Sequence, residues 1–524
     1  MEQALIQPEI QFLTLLTIAA AIAMAVKYVR LPYTIALVIG GLFVGMTGIK
    51  PPHLTHDMIL FLFLPPLLFE GAIHFELTDL RRNLRTIGVL AFPGLILTGF
   101  LAGFLIQRYT GLPIAVALLV GVMITPTDPI SVLALFKRLG VSKRLSMIVE
   151  GESVFNDGAG IVLYTVILGI VTSGQFNLGS SILSFFVVVI GGFLIGLVMG
   201  QMVFLVLKRL DDHVLEVLIT LILAFGSFII AEHYFHVSGV MAVVAAGVII
   251  GNQGTRYAMS PTTRIAIKNF WEIAAFVINS LIFLLIGTEI HPAELAKVWL
   301  PISIIFGIVV LSRAAAVYPS LFLLNMGGER IPGKWMHVIN WGGIHGSIPI
   351  ALALGLPRIP QREQIVSIVF GVVFLSLIVQ GLTVSPLIRF FGLGKRGEEE
   401  EQYERAVANV VALRRSLEEL NRERGEGRIS HSIHERLSEE LEVRLRQVQE
   451  EITELEQNPA IQSLWEKKTR KSLLMLEKST IMDLSVQGMI SHENADELIR
   501  RVDEALDREE FLIEEEMEEE QEAP

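Results

Sequence analysis

Cysteine is absent from all 524 residues, which excludes disulfides, thiolate metal sites and thiol redox chemistry. Charge is missing in a patterned way. Apolar runs of about 20 residues recur through the first three quarters of the chain, long enough to cross a bilayer, and Arg313 is the only Lys or Arg well inside any of them. The opening Met1-Glu2-Gln3-Ala4-Leu5 lacks the basic n-region of a cleaved leader, so the first apolar run reads as a retained helix. What is present instead is hydrocarbon. Hydrophobic residues make up 52% of the chain and the mean hydropathy is +0.56, which places the chain in a lipid bilayer.

The apolar segments give about 13 spans, near 9–26, 32–49, 57–75, 84–107, 112–136, 147–173, 180–207, 214–232, 237–251, 270–288, 299–326, 336–356 and 364–391. Loop charge tests the count. Loops after odd-numbered spans carry Lys27 and Arg30; Arg81, Arg82 and Arg85; Lys137, Arg138, Lys143 and Arg144; Lys208 and Arg209; Arg256, Arg264 and Lys268; and Arg330 and Lys334. Loops after even-numbered spans carry Lys50, Arg108, Lys297, Arg358 and Arg362. By the positive-inside rule the odd loops are cytoplasmic, so the N-terminus lies outside and the C-terminus inside.

Residues 1–393 are therefore read as a transmembrane domain and 394–524 as a charged helical cytoplasmic tail. The tail carries Glu398 to Glu401, the helical patterns Leu413-x-x-x-Leu417-x-x-Leu420 and Leu441-x-x-x-Leu445, a break at Gly425-Glu426-Gly427, and the acidic run Glu514 to Glu520. Much of the acid behind the net charge of -12 sits here, so that charge says little about cargo. A solvated helical appendage is the plain reading of the tail, and a regulatory role the alternative.

Acids well inside the spans are Glu70, Asp128, Glu152 and Asp157. A carboxylate at bilayer depth costs about 2.5–3.5 kcal/mol on insertion scales and is normally kept for ion or proton chemistry. Asp157, in Gly151-Glu152-Ser153-Val154-Phe155-Asn156-Asp157-Gly158, has no basic neighbour in its own span, which points to a transporter. A lone Arg313 in hydrocarbon needs an acidic partner, for which Glu152 is the candidate. Glu152 and Asp157 stand about 140° apart on a helix, so one meets a neighbouring helix while the other faces a cavity. Ser153, four residues before Asp157, shares the face of Asp157 and offers a neutral oxygen. Glu272, near the start of its span, reads as interfacial. The Phe and Met residues of the spans read as packing or lipid-facing side chains, not a cofactor site.

Two spans are interrupted. The fifth contains Thr125-Pro126-Thr127-Asp128-Pro129, whose prolines remove backbone donors and disfavour helix at the residue before each. The twelfth contains Gly342-Gly343-Ile344-His345-Gly346-Ser347-Ile348-Pro349, also poor in helix propensity. Broken segments at corresponding positions of two halves point to an inverted-repeat transporter with its ion site near the midplane.

The motifs TPTDP, GESVFND, FWEIAAFVINSLIFLLIGTEI, the arginine of the next span and GGIHGS, in that order, resemble the NhaP-type sodium/proton antiporters of the cation/proton antiporter superfamily, most of all cyanobacterial members with a long tail. The resemblance covers roughly residues 9–393. It implies an all-α membrane protein of 13 helices, a homodimer with a dimerisation domain and a six-helix core holding two crossed, partly unwound helices. It also implies that Asp157 is the principal ion and proton carrier, Asp128 a second acid at the site, and Thr127 and Ser153 further cation ligands. Glu152 and Arg313 are then a structural ion pair, and Glu70 an indirect ligand. In one departure, many relatives have Arg where this chain has His345, a group that titrates near neutral pH. Either His345 modulates the response to pH or it is a hydrogen-bonded cavity side chain.

The expected activity is exchange of Na+ or Li+ for H+ at the plasma membrane, with no cofactor and no nucleic-acid partner. K+ or Ca2+ exchange is the alternative. Asn156 beside Asp157 cannot titrate, so a single carboxylate exchanging one cation for one proton predicts electroneutral transport. Two other classes are weaker: an intramembrane protease using Asp128 with Asp157 or Ser153 with His345, and a cation channel, which interrupted helices in paired positions argue against.

Overall fold

The computed structural model describes residues 2–506, leaving out 27, 29–30, 47–53, 174–176, 211, 256–257, 291–297, 360, 394–397, 487–488, 492–493, 496, 500 and 503–504. Lys27, Arg30, Lys50, Arg256, Lys297 and the acidic run Glu514 to Glu520 lie outside the described residues. The described chain is helical, with no strand. In hydrocarbon this follows from chemistry, because every backbone N–H and C=O must find its partner within the protein.

Among the described residues, seven helices are long and apolar enough to cross a membrane: α4 (Leu77–Thr110), α7 (Lys143–Ser173), α8 (Gly179–Leu207), α9 (His213–Tyr234), α11 (Thr263–Thr288), α12 (Trp299–Met326) and α15 (Arg362–Phe390). Shorter apolar helices are α1 (Ile10–Val26), α2 (Tyr33–Met46), α3 (Met58–His74), α5 (Ile114–Ile124) and α10 (Gly239–Gly254). α6 (Ile130–Leu139) follows α5 after a break, and α13 (Gly333–Trp341) and α14 (Ser347–Leu354) form a second interrupted pair. The chain is thus a multi-pass membrane protein.

Helix starts differ from the sequence reading in one systematic way. α4 begins at Leu77 and so takes in Arg81, Arg82 and Arg85; α7 begins at Lys143; and the helix containing α11 begins at Pro261, taking in Arg264 and Lys268. A basic first turn lowers local hydropathy without interrupting the backbone ladder, so the charge reads as loop although the residues are helical. Glu272 consequently sits well within its helix, on an exposed face.

Side-chain caps set several starts: Asn177, Asp212, Ser238 and Ser260 each accept a first-turn backbone N–H. Small residues set the helix pairings. Gly41 packs against the backbone of Leu284 and Gly287, Gly121 against Gly99 and Gly103, and Gly196 against Ala242, bringing α2 to α11, α5 to α4 and α8 to α10 at backbone contact. Most of the hydrophobic windows of α7, α11 and α15 are buried, at 61% each, against 22% for α8. α8 instead exposes Leu183, Phe186, Val187, Ile190, Leu194, Val198 and Met202, an apolar face suited to lipid.

The chain divides into two compact units, Met1–Arg138 with Lys143–Phe391, and Gly392–Pro524 with Leu139–Ser142. In the second, α16 (Glu398–Gly425) and α17 (His431–Leu455) form a hairpin whose turn uses Gly427 at φ +72°, where glycine escapes the strain of a Cβ. The Tyr403 hydroxyl donates to Glu456 at 2.7 Å, and burial together with this carboxylate pushes its pKa up to about 12, so it stays a donor. α18 (Pro459–Val486) follows, and Ile481, Ala495 and Val502 form a small core.

Candidate functional site

The site is built on the two interruptions. α5 stops at Ile124 and α6 resumes at Ile130, leaving residues 125–129 outside helix; α13 stops at Trp341 and α14 resumes at Ser347. Freed backbone groups need partners, and some find them in each other: the Asp128 N–H donates to the Ile344 carbonyl at 2.6 Å. Glycine permits the approach. A Cβ at Gly346 would run into the Asp128 side chain, and one at Gly343 into the Arg313 guanidinium. Asp128 Oδ1 accepts the Ile130 N–H at 2.9 Å and so caps the start of α6.

α7 clamps the first interruption at Thr127. Ser153 Oγ donates to the Thr127 carbonyl, Asn156 Nδ2 donates to Thr127 Oγ1 at 2.9 Å, and Asn156 Oδ1 faces the Thr127 N–H at 3.4 Å. Asp157, next along, is differently placed. Its Oδ1 is buried without a hydrogen-bond partner among the described residues, and its side chain lines a cavity of about 100 Å³ together with Thr127, Asp128 and Glu70. A buried unpaired carboxylate oxygen is costly, and this one lies on a cavity wall.

Glu152 turns the other way. Arg313 Nη2 lies 2.8 and 2.9 Å from the two Glu152 carboxylate oxygens, and the side chains are 6% and 4% exposed, which makes this a buried pair. The same guanidinium donates to the carbonyls of Ile339 and Asn340, each at 3.2 Å. Those carbonyls end α13 without helical partners, so Arg313 ties α7, α12 and the second interruption together. Glu70, on α3, is 29% exposed at its side chain, with Oε1 3.5 Å from His74 Nδ1.

His345 does not line the cavity. It is 2% exposed; its backbone N–H donates to Ser376 Oγ at 3.0 Å, its ring Nδ1 lies 3.2 Å from the Gly343 carbonyl, and its Nε2 has no hydrogen-bond partner among the described residues. Ser376 donates to Gln380 Oε1 at 2.5 Å, and Gln380 Nε2 donates to the Trp341 carbonyl at 3.1 Å, so the network holds the second interruption from α15. Ser153 Oγ donates to the Thr127 carbonyl and the His345 ring meets the Gly343 carbonyl, so the two side chains do not pair as nucleophile and base.

Three polar cavity residues do not stand out in the sequence: Glu150, Asn279 and Ser347. Glu150 lies two helical turns before Asp157 on one face of α7, a spacing that links the two, but its place near the start of its span gives it the look of an interfacial acid. Asn279 and Ser347 are uncharged and carry no hydropathy signal, and Ser376 and Gln380 are likewise silent in sequence. Among the described residues no three His, Asp or Glu side chains converge as a group that could hold a metal ion.

The family described as sodium/hydrogen exchanger, transmembrane, matches residues 13–390. The Na(+)/H(+) antiporter NhaG of Bacillus atrophaeus is 36% identical over 506 residues, covering 93% of this chain and 95% of its own. The low-affinity Na(+)/H(+) antiporter NhaS1 of Synechocystis sp. is 36% identical over 495 residues, covering 92% and 93%. Among solved structures, the sodium proton antiporter MjNhaP1 of Methanocaldococcus jannaschii matches with a TM-score of 0.62 at 22% identity, covering 73% of this chain and 98% of that one, a likeness of fold. By these matches and by its own interrupted helices, the chain belongs to the sodium/hydrogen exchanger family.

Proposed function

We propose that this protein is a secondary active transporter exchanging Na+ or Li+ for H+, one for one, at a site centred on Asp157. The observation that carries the reading is the unpaired buried oxygen of Asp157 on the wall of a cavity between two interrupted helices. Carried bare through the membrane, that carboxylate would cost about 2.5–3.5 kcal/mol. Loaded with a proton or a cation it crosses more readily. Since both compete for one group, moving either way requires cargo, and exchange becomes obligatory.

In this reading Asp128, Thr127, Ser153 and Asn156 shape the site, Glu70 acts on it indirectly, and Asp157 with Asp128 supplies the charge that meets Na+. Glu152 and Arg313 hold the scaffold. Thirteen spans cross the membrane as an inverted repeat, with the fifth and twelfth crossing at their interruptions, and the core moves against the dimerisation domain of a homodimer. The N-terminus is outside and the tail, residues 394–524, cytoplasmic at the plasma membrane, as the distribution of basic residues supports. The names of the relatives support Na+ and H+ as the cargo, and no cofactor enters the cycle.

Proton flux in proteoliposomes under sodium, lithium, potassium and calcium gradients tests this. Sodium and lithium are expected to drive flux, Asp157→Asn to abolish it, and membrane potential alone to leave it unmoved, because Asn156 adds no second charge. Vigorous exchange by Asp157→Asn sinks the proposal, and potential-driven flux sinks the stoichiometry. In the same assay His345→Gln is expected to keep the wild-type pH profile, as a hydrogen-bonded scaffold residue would; a shifted profile would make His345 a pH modulator.

A further inference from the structure

We propose that Glu150 is a cation-gathering residue on the approach to Asp157, setting the apparent affinity for sodium without being the exchanged carboxylate. This rests on the exchange reading above and adds a residue to it. Glu150 stands seven residues before Asp157 on α7, two turns along the same face, which separates the two side chains by about 10 Å along the axis. Both line the one cavity, with Glu70 of α3 also on its wall. Among the described residues the cavity lining contains four carboxylates, Glu70, Asp128, Glu150 and Asp157, and no Lys, Arg or His.

The four acids are not equally free. Asp128 is spent in part on the Ile130 N–H, and Glu70 faces His74. Glu150 makes no hydrogen bond or ion pair among the described residues, and Asp157 Oδ1 has no partner either. An unpaired carboxylate inside a span is unfavourable unless something positive visits it. The acids do not converge as a three-ligand group, so they offer successive weak positions, as a pathway needs in order to release what it binds. Glu150 is the one nearer the start of α7, where Lys137, Arg138, Lys143 and Arg144 cluster, the end the charge distribution assigns to the cytoplasm. A cation arriving from that side meets Glu150 before Asp157, and the Glu150 carboxylate, when ionised, raises the local cation concentration at the inner acid.

The test measures sodium-dependent proton flux of full-length Glu150→Gln and Glu150→Asp in proteoliposomes, with Asp157→Asn alongside. Glu150→Gln is expected to raise the KM for sodium about five-fold while holding kcat within about two-fold, and Glu150→Asp to restore most of the affinity. An unchanged KM, a fall in kcat alone, or an equal KM rise in both variants overturns the inference, the last by making the residue a matter of packing. Should Glu150→Gln not fold, Glu150→Asp alone must raise KM about two-fold, and an unchanged value overturns the inference. A silent Asp157→Asn beside a normal Glu150→Gln removes only this inference, whereas an active Asp157→Asn removes the exchange reading beneath it.

Discussion

Five residues separate two acids with opposite surroundings. Glu152 is enclosed by Arg313 and its charge is answered; Asp157 faces a cavity and its charge is not. The helical period makes this division, since about 140° of rotation sends the two side chains to different neighbours. Removing one member of a buried pair strands the other, at a cost of about 3–5 kcal/mol. Glu152→Gln and Arg313→Gln are each expected to lower the thermal unfolding midpoint of the purified protein, and the double variant to lose less than the sum of the two. Unchanged midpoints in both single variants would show that the pair does not hold the scaffold. Asp157 was legible because an acid in an apolar run is rare. Glu150 was not, because near a helix start an acid looks interfacial until a cavity wall is seen beside it.

Among the elements, the interruptions matter most. Pro126 and Pro129 announce the first, and the glycines of 342–346 the second, but neither pattern says that the two meet. Their meeting rests on one backbone hydrogen bond, Asp128 to Ile344, and on the missing Cβ of Gly346. Gly346→Ala places a methyl against the Asp128 side chain and must push the segments apart. Exchange is expected to fall more than about ten-fold, a loss of about 1.4 kcal/mol or more in transition-state terms. Gly307→Ala, within α12 with open space around its Cβ, serves as the control and is expected to keep wild-type flux. Equal flux in both variants would show that close approach at Gly346 is dispensable. Helix starts were the least legible feature at this scale, because Arg81, Arg82 and Arg85 of α4 and Lys143 of α7 carry loop-like charge on helical backbone.

Across the whole molecule, the unit ending at Phe391 carries its own core, its cavity and both interruptions. A chain ending at Leu393 is therefore expected to fold and to exchange at a rate within about two-fold of full length, read as proton flux in proteoliposomes across pH. A shifted pH profile would assign the tail a regulatory role. The all-helical, multi-pass architecture was open to reading in one dimension, because hydropathy and helix-breaking residues are local, and a bilayer leaves the backbone few alternatives to helix. The acid in an apolar run and the breaks in spans five and twelve belong to the same class of signal. The pairing of Arg313 with Glu152 could be proposed from scarcity of charge alone; what required three dimensions was everything else depending on which helix lies beside which: the commitment of Ser153 and Asn156 to Thr127, the network from His345 to Gln380, and the joining of Glu70, Glu150 and Asp157 by one cavity. These contacts bridge tens to hundreds of residues along the chain, and no local periodicity encodes a partner at that range.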